Sequence, residues 1–413
     1  MKNPFNARAP TFDANAIQAT IQRALASAGL DTTAGPMHDV TETIRRALGA
    51  DRVPEASPSA ENESVIGVSA RVVRAGDDKN AMRGTEPLTR QAKPQSGTFE
   101  AHNFGNEAGT RAYKVYVPAG ESDTQRPLIV MLHGCTQSAD DFAAGTQMNR
   151  LADEHGFLVV YPEQAAQANT SKCWNWFNPR DQMRGVGEPS LIAGIVSEVA
   201  RKHGADPRRI FAAGLSAGAA MAVVLGETYP ELFAGVGAHS GLPYGSAHDI
   251  PSALAAMKGG RSEMSGRQWA VGSPATLPKK LVHAVPVIVF HGDRDHTVQQ
   301  INGTQIAHHA SDAHAAAAGG AGLHVSQESG VASGGRPFSR KLFADAQGHA
   351  RIEVWTVHGA GHAWSGGHAS GSFTDGNGPD ASAEMVRFFL SLPMRARSDQ
   401  PPQSCVPTNE ASA

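Results

Sequence analysis

The sequence predicts an α/β fold in which helices flank a mostly parallel, doubly wound sheet. From about residue 97 onward, short apolar runs typical of buried strands alternate with helical patterns, and such alternation favours a parallel sheet. Around Ser216, an apolar run, a glycine-containing turn and a run of small residues follow one another directly. Hydrophobic residues make up 40% of the 413 residues, so the chain can bury the core of one large domain with additional segments, or the cores of two domains.

The first 96 residues are predicted to lie outside the sheet. Residues 1–50 contain two apolar stripes at helical spacing, which we interpret as short amphipathic helices that dock on the main domain or remain free of it. The stripes are Ile17, Ile21 and Leu25, and Val40, Ile44 and Leu48. A module that binds a partner or an apolar surface is the alternative. Residues 51–96 are rich in proline, serine, glutamate and glycine without apolar periodicity, which is typical of a flexible linker.

Residues 97–393 carry the strand and helix patterns of the main domain. The predicted strands are 98–104, 111–117, 128–132, 157–161, 209–213, 233–238, 286–291 and 351–357, and the predicted helices lie near 144–155, 188–203 and 380–391. Two stretches, 241–280 and 311–338, fit the sheet poorly. We interpret them as insertions at strand ends, the second as surface decoration. Residues 394–413 are polar and are expected to form a loose tail.

The bulk composition argues against several classes of function. The formal net charge of −3 gives no electrostatic support for binding nucleic acid, and no apolar run approaches the length of a membrane-spanning helix. The N-terminus lacks the apolar core of a secretory signal, so we expect a cytoplasmic protein, with an extracellular one as the alternative. The three cysteines form no C-x-x-C pair, and we expect neither a metal nor an organic cofactor.

The most specific motif is Gly214-Leu215-Ser216-Ala217-Gly218. A G-x-S-x-G sequence between a strand and a helix is typical of the nucleophile elbow of the α/β-hydrolase fold. The glycines permit a sharp turn where a Cβ atom would clash, and the turn sets the Ser216 hydroxyl at the N-terminus of a helix. The sequence therefore predicts an α/β-hydrolase catalytic domain at 97–393 with Ser216 as nucleophile. A structural turn of small residues is the alternative.

A serine nucleophile needs a base, and the base is usually a histidine held by a carboxylate. In this fold the acid and then the histidine follow the serine along the chain. Two carboxylates, Asp293 and Asp295, follow the predicted strand that ends at His291. The H-G-x-x-D-x-x-V spacing favours Asp295 as the acid, while Asp293 forms the turn or supports the site.

The base is expected in the loop after the last predicted strand. His362 is the candidate, because Gly361 before it gives the loop freedom to swing the ring over the elbow. His358 lies close to the end of the strand and is interpreted as structural. His368 is the weaker alternative to His362.

Two backbone N–H groups are needed to hold the negative oxygen that develops during acyl transfer. The residue after the nucleophile, Ala217, is expected to supply one of them. The second is expected in the loop after the strand that ends at Leu132, and Cys135 is the candidate there.

Six motifs in chain order resemble the polyhydroxybutyrate (PHB) depolymerase-type esterase family of α/β-hydrolases. They are 133–137 (HGCTQ), 173–177 (CWNWF), 184–189 (RGVGEP), 214–218 (GLSAG), 291–295 (HGDRD) and 361–367 (GHAWSGG). The resemblance implies Ser216, Asp295 and His362 as the triad, with Cys135 and Ala217 as oxyanion donors. It also implies an ester substrate, either a hydroxyalkanoate oligomer or polymer or a plant-type feruloyl or acetyl-xylan ester. A peptidase and a catalytically silent binding protein are the rival functions.

Two further features fall within these motifs. Trp176 and Trp364 are candidates for the wall of an acyl pocket, since aromatic faces suit an ester chain; core packing is the alternative, and Trp174 is assigned to the core. Cys135 and Cys173 either form a disulfide that fixes the oxyanion loop or, in a reducing cytoplasm, stay as free thiols. The sequence gives no indication of the oligomeric state.

Overall fold

The structure, a computed structural model of the full chain, describes residues 97–120, 124–260 and 284–394. The helices predicted in residues 1–50, the linker predicted at 51–96 and all but the first residue of the predicted tail lie outside these ranges. Within the described ranges, no helix has both the length and the apolar character that are needed to cross a membrane.

Twelve strands lie in the described ranges, ten in a central sheet and two in a short separate ribbon. The central strands are β1 (Thr98–Asn106), β2 (Gly109–Val117), β3 (Arg126–Leu132), β4 (Leu158–Pro162), β5 (Ala205–Leu215), β6 (Gly235–His239), β7 (Val287–Gly292), β8 (His324–Val331), β9 (Pro337–Ala344) and β10 (Ala350–Val357). The ribbon pairs β11 (Trp364–Ser365) with β12 (Thr374–Asp375).

The helices of the described ranges mostly connect consecutive strands. They are α1 (Ala139–Thr146), α2 (Met148–His155), α3 (Gly187–His203), α4 (Ala217–Thr228), α5 (Ile250–Met257), α6 (Ile301–Ala317) and α7 (Ala381–Ser391), with a short 3-10 helix at Pro179–Gln182. The capping box of Asp249 begins α5, which lies inside the stretch 241–280 that was expected to be an insertion.

The central sheet has the strand order β1-β2-β4-β3-β5-β6-β7-β10-β9-β8. The six neighbouring strands from β4 to β10 are parallel, and antiparallel pairs lie at both edges. Parallel neighbours must be joined by crossovers, and all six parallel strands therefore end at the same edge of the sheet. The predicted parallel, doubly wound α/β fold is confirmed.

Both faces of the sheet are covered by helices. Successive residues of β3 point to opposite faces. Leu128, Val130 and Leu132 pack in the core cluster that includes α3, α4 and α6, whereas Ile129 and Met131 pack with α1, α2 and α7. A strand that is buried on both faces has no polar alternation, which explains the continuous apolar run in its sequence.

The stretch 311–338 corrects the sequence analysis, because it is not surface decoration. It contains the end of α6 and strand β8, and β8 forms with β9 an antiparallel hairpin that extends the sheet beyond β10. Seven of the eight residues of β8 are exposed, so the strand lacks the apolar alternation by which strands are recognised. The backbone ladder, rather than burial, holds this strand in the sheet.

A buried carboxylate fastens the hairpin to the rest of the sheet. Glu353 on β10 is fully buried and accepts hydrogen bonds from Arg340 on β9 and Arg387 on α7. Burial alone would raise the pKa of Glu353, but the two guanidinium groups lower it below its ordinary value. The carboxylate therefore stays charged and links three elements of the fold.

Candidate active site

Four candidate residues lie just after the carboxyl ends of parallel strands. Cys135 follows β3, Ser216 follows β5, Asp295 follows β7 and His362 follows β10. Since these strands are parallel, the four loops lie at one edge of the sheet, where open α/β sheets bind their ligands. The topology therefore gathers residues that are far apart in the chain.

The turn at Ser216 has a strained backbone. Its φ is 57° and its ψ is −119°, in the half of the map that residues other than glycine avoid. The turn is possible because Gly218 packs on the end of β3, where a Cβ atom would collide with the carbonyl oxygens of Leu132 and His133. The Ser216 N–H donates to the carbonyl of His239 at 2.9 Å, which holds the turn against β6.

The Ser216 side chain is partly exposed, so a substrate can reach it. Among the residues that the structure describes, its hydroxyl has no hydrogen-bond partner, and the predicted contact between Ser216 and His362 stays a prediction. His368, the alternative base, hydrogen-bonds the hydroxyl of Ser370 at 2.8 Å instead.

Asp295 and His362 are hydrogen-bonded to each other. Nδ1 of His362 lies 2.7 Å from Oδ2 of Asp295, and since a carboxylate only accepts, Nδ1–H donates and Nε2 is left as the acceptor. Oδ1 accepts the N–H groups of Thr297 and Val298 at 3.0 and 2.8 Å. Burial alone would raise the pKa of Asp295, but the hydrogen bonds from His362 and Val298 lower it below its ordinary value. A charged, fixed carboxylate thus orients the ring.

Asp293 pairs with a different histidine. Its Oδ2 accepts from Nδ1 of His358 at 2.9 Å, and its Oδ1 accepts the N–H of Gly359 at 2.7 Å. Nε2 of His358 lies 2.9 Å from the Ser339 hydroxyl on β9. Asp295 therefore contacts the candidate base, while Asp293 joins its own loop to the next loop and to the hairpin.

Buried polar contacts hold the start of the oxyanion loop. His133 is 1% exposed; its Nδ1–H donates to the carbonyl of Gly134 at 2.7 Å, and its Nε2 accepts the N–H of Gln164 at 3.1 Å. Burial lowers the pKa of His133, so the ring stays neutral, as these two contacts require. The N–H of Gly134 donates to the side-chain carbonyl of Gln137 at 2.9 Å.

A disulfide joins Cys135 to Cys173, which answers the question that the sequence left open. Beside it, the N–H of Thr136 donates to the carbonyl of Ser171 at 2.7 Å. The disulfide and this hydrogen bond hold the loop between β3 and α1 in place. Within the described ranges, no acceptor takes up the backbone N–H of Cys135 or of Ala217, so both groups are available to a ligand oxygen.

Glu188 in the motif at 184–189 anchors the segment that carries Trp176. Its buried carboxylate accepts the N–H and the Nδ2–H of Asn175, both at 2.8 Å, and a guanidinium N–H of Arg111 at 3.2 Å. Burial raises the pKa of Glu188 and the neighbouring Asp181 raises it further, while these contacts oppose the rise. Its role is therefore to hold the segment in place.

The three motif tryptophans are all buried. Trp174 is fully buried and donates to a main-chain carbonyl at 3.1 Å, in agreement with its assignment to the core. Trp364 is 1% exposed, stacks on His239 and donates to Ser382 on α7. Its enclosed ring favours the alternative of core packing, and a place for Trp364 in the pocket wall stays a prediction. Trp176 keeps 6% of its surface, and its place in the pocket wall stays a prediction.

His239, the last residue of β6, is a site residue that the motifs did not single out. Its ring lies between two aromatic rings, at centroid distances of 5.8 and 5.1 Å. Nε2 accepts the N–H of Ser365 at 2.9 Å, in the loop that carries His362, and the main-chain carbonyl accepts the N–H of Ser216. Burial lowers the pKa of His239 to about 3. A neutral ring therefore joins the loop of the base to the strand beside the elbow.

The comparison with known protein families shows the family of the chain. The family described as "Esterase PHB depolymerase" matches residues 111–321, about half of the chain, with Ser216, Asp295 and the oxyanion loop inside the match. The chain belongs to this family. A family relative, poly(3-hydroxyalkanoate) depolymerase C from Paucimonas lemoignei, is 33% identical over 269 residues, which cover 64% of this chain and 61% of that protein. The chain thus spans about three-fifths of the length of that relative.

The chain is also similar to proteins with other names. Feruloyl esterase B from Thermothelomyces thermophilus is 35% identical over 155 residues, which cover 37% of this chain and 52% of that protein. Among solved structures, an acetyl xylan esterase from Aspergillus awamori has a TM-score of 0.53 and 20% identity, with 72% of this chain and 100% of that chain covered. This likeness shows the α/β-hydrolase fold.

The disulfide predicts a specific effect of Cys173→Ser. We expect kcat toward p-nitrophenyl acetate to fall about tenfold, because a loosened loop misplaces one oxyanion donor. The free energy of unfolding in urea should fall by about 3 kcal/mol. Cys405→Ser, outside the described ranges, is the matched control and should change neither quantity. An unchanged kcat in Cys173→Ser would show that the loop holds its shape without the bond.

His239→Phe should lower kcat about ten- to hundredfold with little change in KM. The substitution leaves the N–H of Ser365 unpaired, which costs about 1–3 kcal/mol in a buried site and displaces the loop of His362. His239→Gln keeps an acceptor and should recover part of the loss. Phe290→Leu is the control for packing alone, and equal kcat losses in His239→Phe and Phe290→Leu would contradict the role of the hydrogen bond.

Proposed function

We propose that this PHB-depolymerase family member is a serine carboxylic-ester hydrolase that cleaves short-chain hydroxyalkanoate-type esters through an acyl-enzyme. The observation that carries the proposal is the hydrogen bond between Asp295 and His362, at the same sheet edge as the strained elbow of Ser216. A carboxylate that fixes the tautomer of an imidazole leaves the other ring nitrogen able to accept a proton from a hydroxyl.

The proposed reaction follows from these positions. Nε2 of His362 takes the proton of Ser216 while the serine oxygen attacks the ester carbonyl, and the charged Asp295 stabilises the imidazolium that forms. The N–H groups of Cys135 and Ala217 hold the carbonyl oxygen as it becomes negative. The imidazolium then protonates the leaving alcohol. Water, deprotonated by the same ring, finally releases the acid from the serine.

The choice of substrate rests on the relatives. The depolymerase relative aligns over more of this chain than the feruloyl esterase does, which supports hydroxyalkanoate esters. Feruloyl and acetyl-xylan esters are the second candidate, since the chain is also similar to proteins with those names. A hydrolysis panel of hydroxybutyrate oligomers, feruloyl esters and acetylated xylan separates the two, because the favoured class should have the highest kcat/KM.

The compartment is part of the proposal. The disulfide between Cys135 and Cys173 supports an oxidising compartment, because disulfides rarely persist in a reducing cytoplasm. This favours the extracellular alternative over the cytoplasmic expectation. Mass spectrometry of protein alkylated without reduction in the native host tests it, and free Cys135 and Cys173 would support the cytoplasm instead.

The decisive experiment is covalent labelling of Ser216. We expect a fluorophosphonate probe to modify the protein and Ser216→Ala to abolish both labelling and ester hydrolysis, since Ser216 lies in the turn between β5 and α4 where the nucleophile is proposed. A p-nitroanilide of the same acyl group should be cleaved far more slowly than the p-nitrophenyl ester. Failure of the native protein to react with the probe would favour a binding protein without catalysis.

Asp295→Asn and Asp293→Asn form a matched pair. Asp295→Asn should lower kcat by about 10⁴-fold, because an amide no longer stabilises the charged ring, whereas Asp293→Asn should cost less than about tenfold. Because the pKa of Asp295 is lowered in the fold, its carboxylate stabilises the protein above its unfolded pKa and loses this effect as the pH falls through the folded value. Asp295→Asn should therefore destabilise the protein in urea more at about pH 7 than at about pH 3. Equal kcat losses in the two variants would contradict the assignment.

A further inference from the structure

A second cleft lies between α6 and the strands β9 and β10. Its volume is about 190 Å³, and it is open to solvent. One wall is formed by Thr304 and His308 of α6 with Gln300, the residue just before this helix. The other is formed by Ser339 and Lys341 of β9 with Thr356 of β10. None of the residues that line it belongs to the predicted triad or to the oxyanion loop.

The lining of the cleft is suited to an anion with a short apolar body. Lys341 and His308 both face it, and its lining contains no carboxylate. Within the described ranges, neither side chain forms an ion pair with a carboxylate. Glu328, on the strand next to Lys341, pairs with Arg340 instead. Apolar groups, among them Phe343, form the far part of the lining. A carboxylate near Lys341 would thus gain a charge partner while its chain contacts apolar surface.

The end of the cleft nearest the catalytic edge is suited to a hydroxyl group. Ser339 contacts Nε2 of His358, whose Nδ1 bonds Asp293. Since Asp293 fixes the Nδ1–H tautomer, the Ser339 hydroxyl donates to Nε2. Its oxygen accepts from the Ser329 hydroxyl at 3.1 Å and keeps one lone pair for a ligand. Ser339 and Lys341 are two residues apart on one strand face, about 7 Å. That spacing suits a hydroxyl and a carboxylate a few bonds apart.

We propose that this cleft binds a short hydroxy-carboxylate, with the carboxylate at Lys341 and His308 and the hydroxyl at Ser339. The chain of hydrogen bonds from Ser339 through His358 reaches Asp293, in the same loop as Asp295. Hydroxy acids are also what the proposed hydrolysis would release. The binding site itself does not rest on the proposed function, because acid binding is measured without any turnover.

Calorimetric titration of the full chain with 3-hydroxybutyrate, butyrate and 3-hydroxybutyramide tests the proposal. We expect 3-hydroxybutyrate to bind most tightly, butyrate more weakly and the neutral amide at least about tenfold more weakly than 3-hydroxybutyrate, since the charge supplies much of the attraction. Lys341→Gln should weaken 3-hydroxybutyrate binding at least about tenfold, and the control Lys341→Arg should retain it. Equal binding of the acid and the amide, or no binding of either, would overturn the proposal.

Ser339→Ala separates the hydroxyl contact from the charge contact. It should weaken 3-hydroxybutyrate to the affinity of butyrate and leave butyrate unchanged. Titration of protein phosphonylated at Ser216 distinguishes this cleft from the candidate active site, because binding in the cleft survives that modification. Binding that is lost on phosphonylation and unchanged in Lys341→Gln places the acid at Ser216 and overturns the proposal. If the protein resists phosphonylation, the result counts against the proposed hydrolase function. The loss of 3-hydroxybutyrate affinity in Lys341→Gln then still tests the cleft.

Discussion

The close contact between the ends of β3 and β5 is the constraint on which the candidate site depends. At Gly214 and Gly218 the backbone lies so near the carbonyl of Leu132 that only hydrogen fits as a side chain. This approach sets the oxyanion loop beside the elbow and holds Ser216 in its strained turn. A strained backbone conformation of this kind persists only where the surrounding contacts hold it in place. A side chain at either glycine would separate Ser216 from the loop that carries Cys135.

The buried polar groups around the sheet edge differ in charge according to the contacts that surround them. His133 and His239 are enclosed and neutral, because their contacts require an acceptor nitrogen and a low dielectric disfavours the charged ring. Asp295 is equally buried but charged, because donors surround its oxygens. His362 alone among these keeps an exposed part of its side chain, 14%. The enclosed rings therefore act as fixed supports, and the proton transfers that we propose are confined to one imidazole.

Two pairs of an aspartate and a histidine join the loops after β7 and β10. They are Asp295 with His362 and Asp293 with His358. The two pairs differ in surroundings rather than in chemistry. The first is mostly buried, and the second is partly exposed and continues to Ser339 on the hairpin. The hairpin is therefore connected to the site by hydrogen bonds, although its outer strand has almost no buried side chain. The polar edge of the sheet can thus affect the candidate site through the hydrogen bonds that it forms with the loop after β10.

The sequence by itself determined the features that depend on neighbouring residues. The turn at Ser216 and the inner strands were predicted because glycine freedom and apolar runs act locally, and residue spacing favoured Asp295, the carboxylate that contacts the candidate base. Only the tertiary structure decided the partner of Cys135, the core position of Trp364, the supporting role of His239 and the place of the polar strand β8 in the sheet. Each of these depends on contacts between residues far apart in the chain. Strand register and burial create those contacts, and a local pattern of residues in the sequence does not predict them.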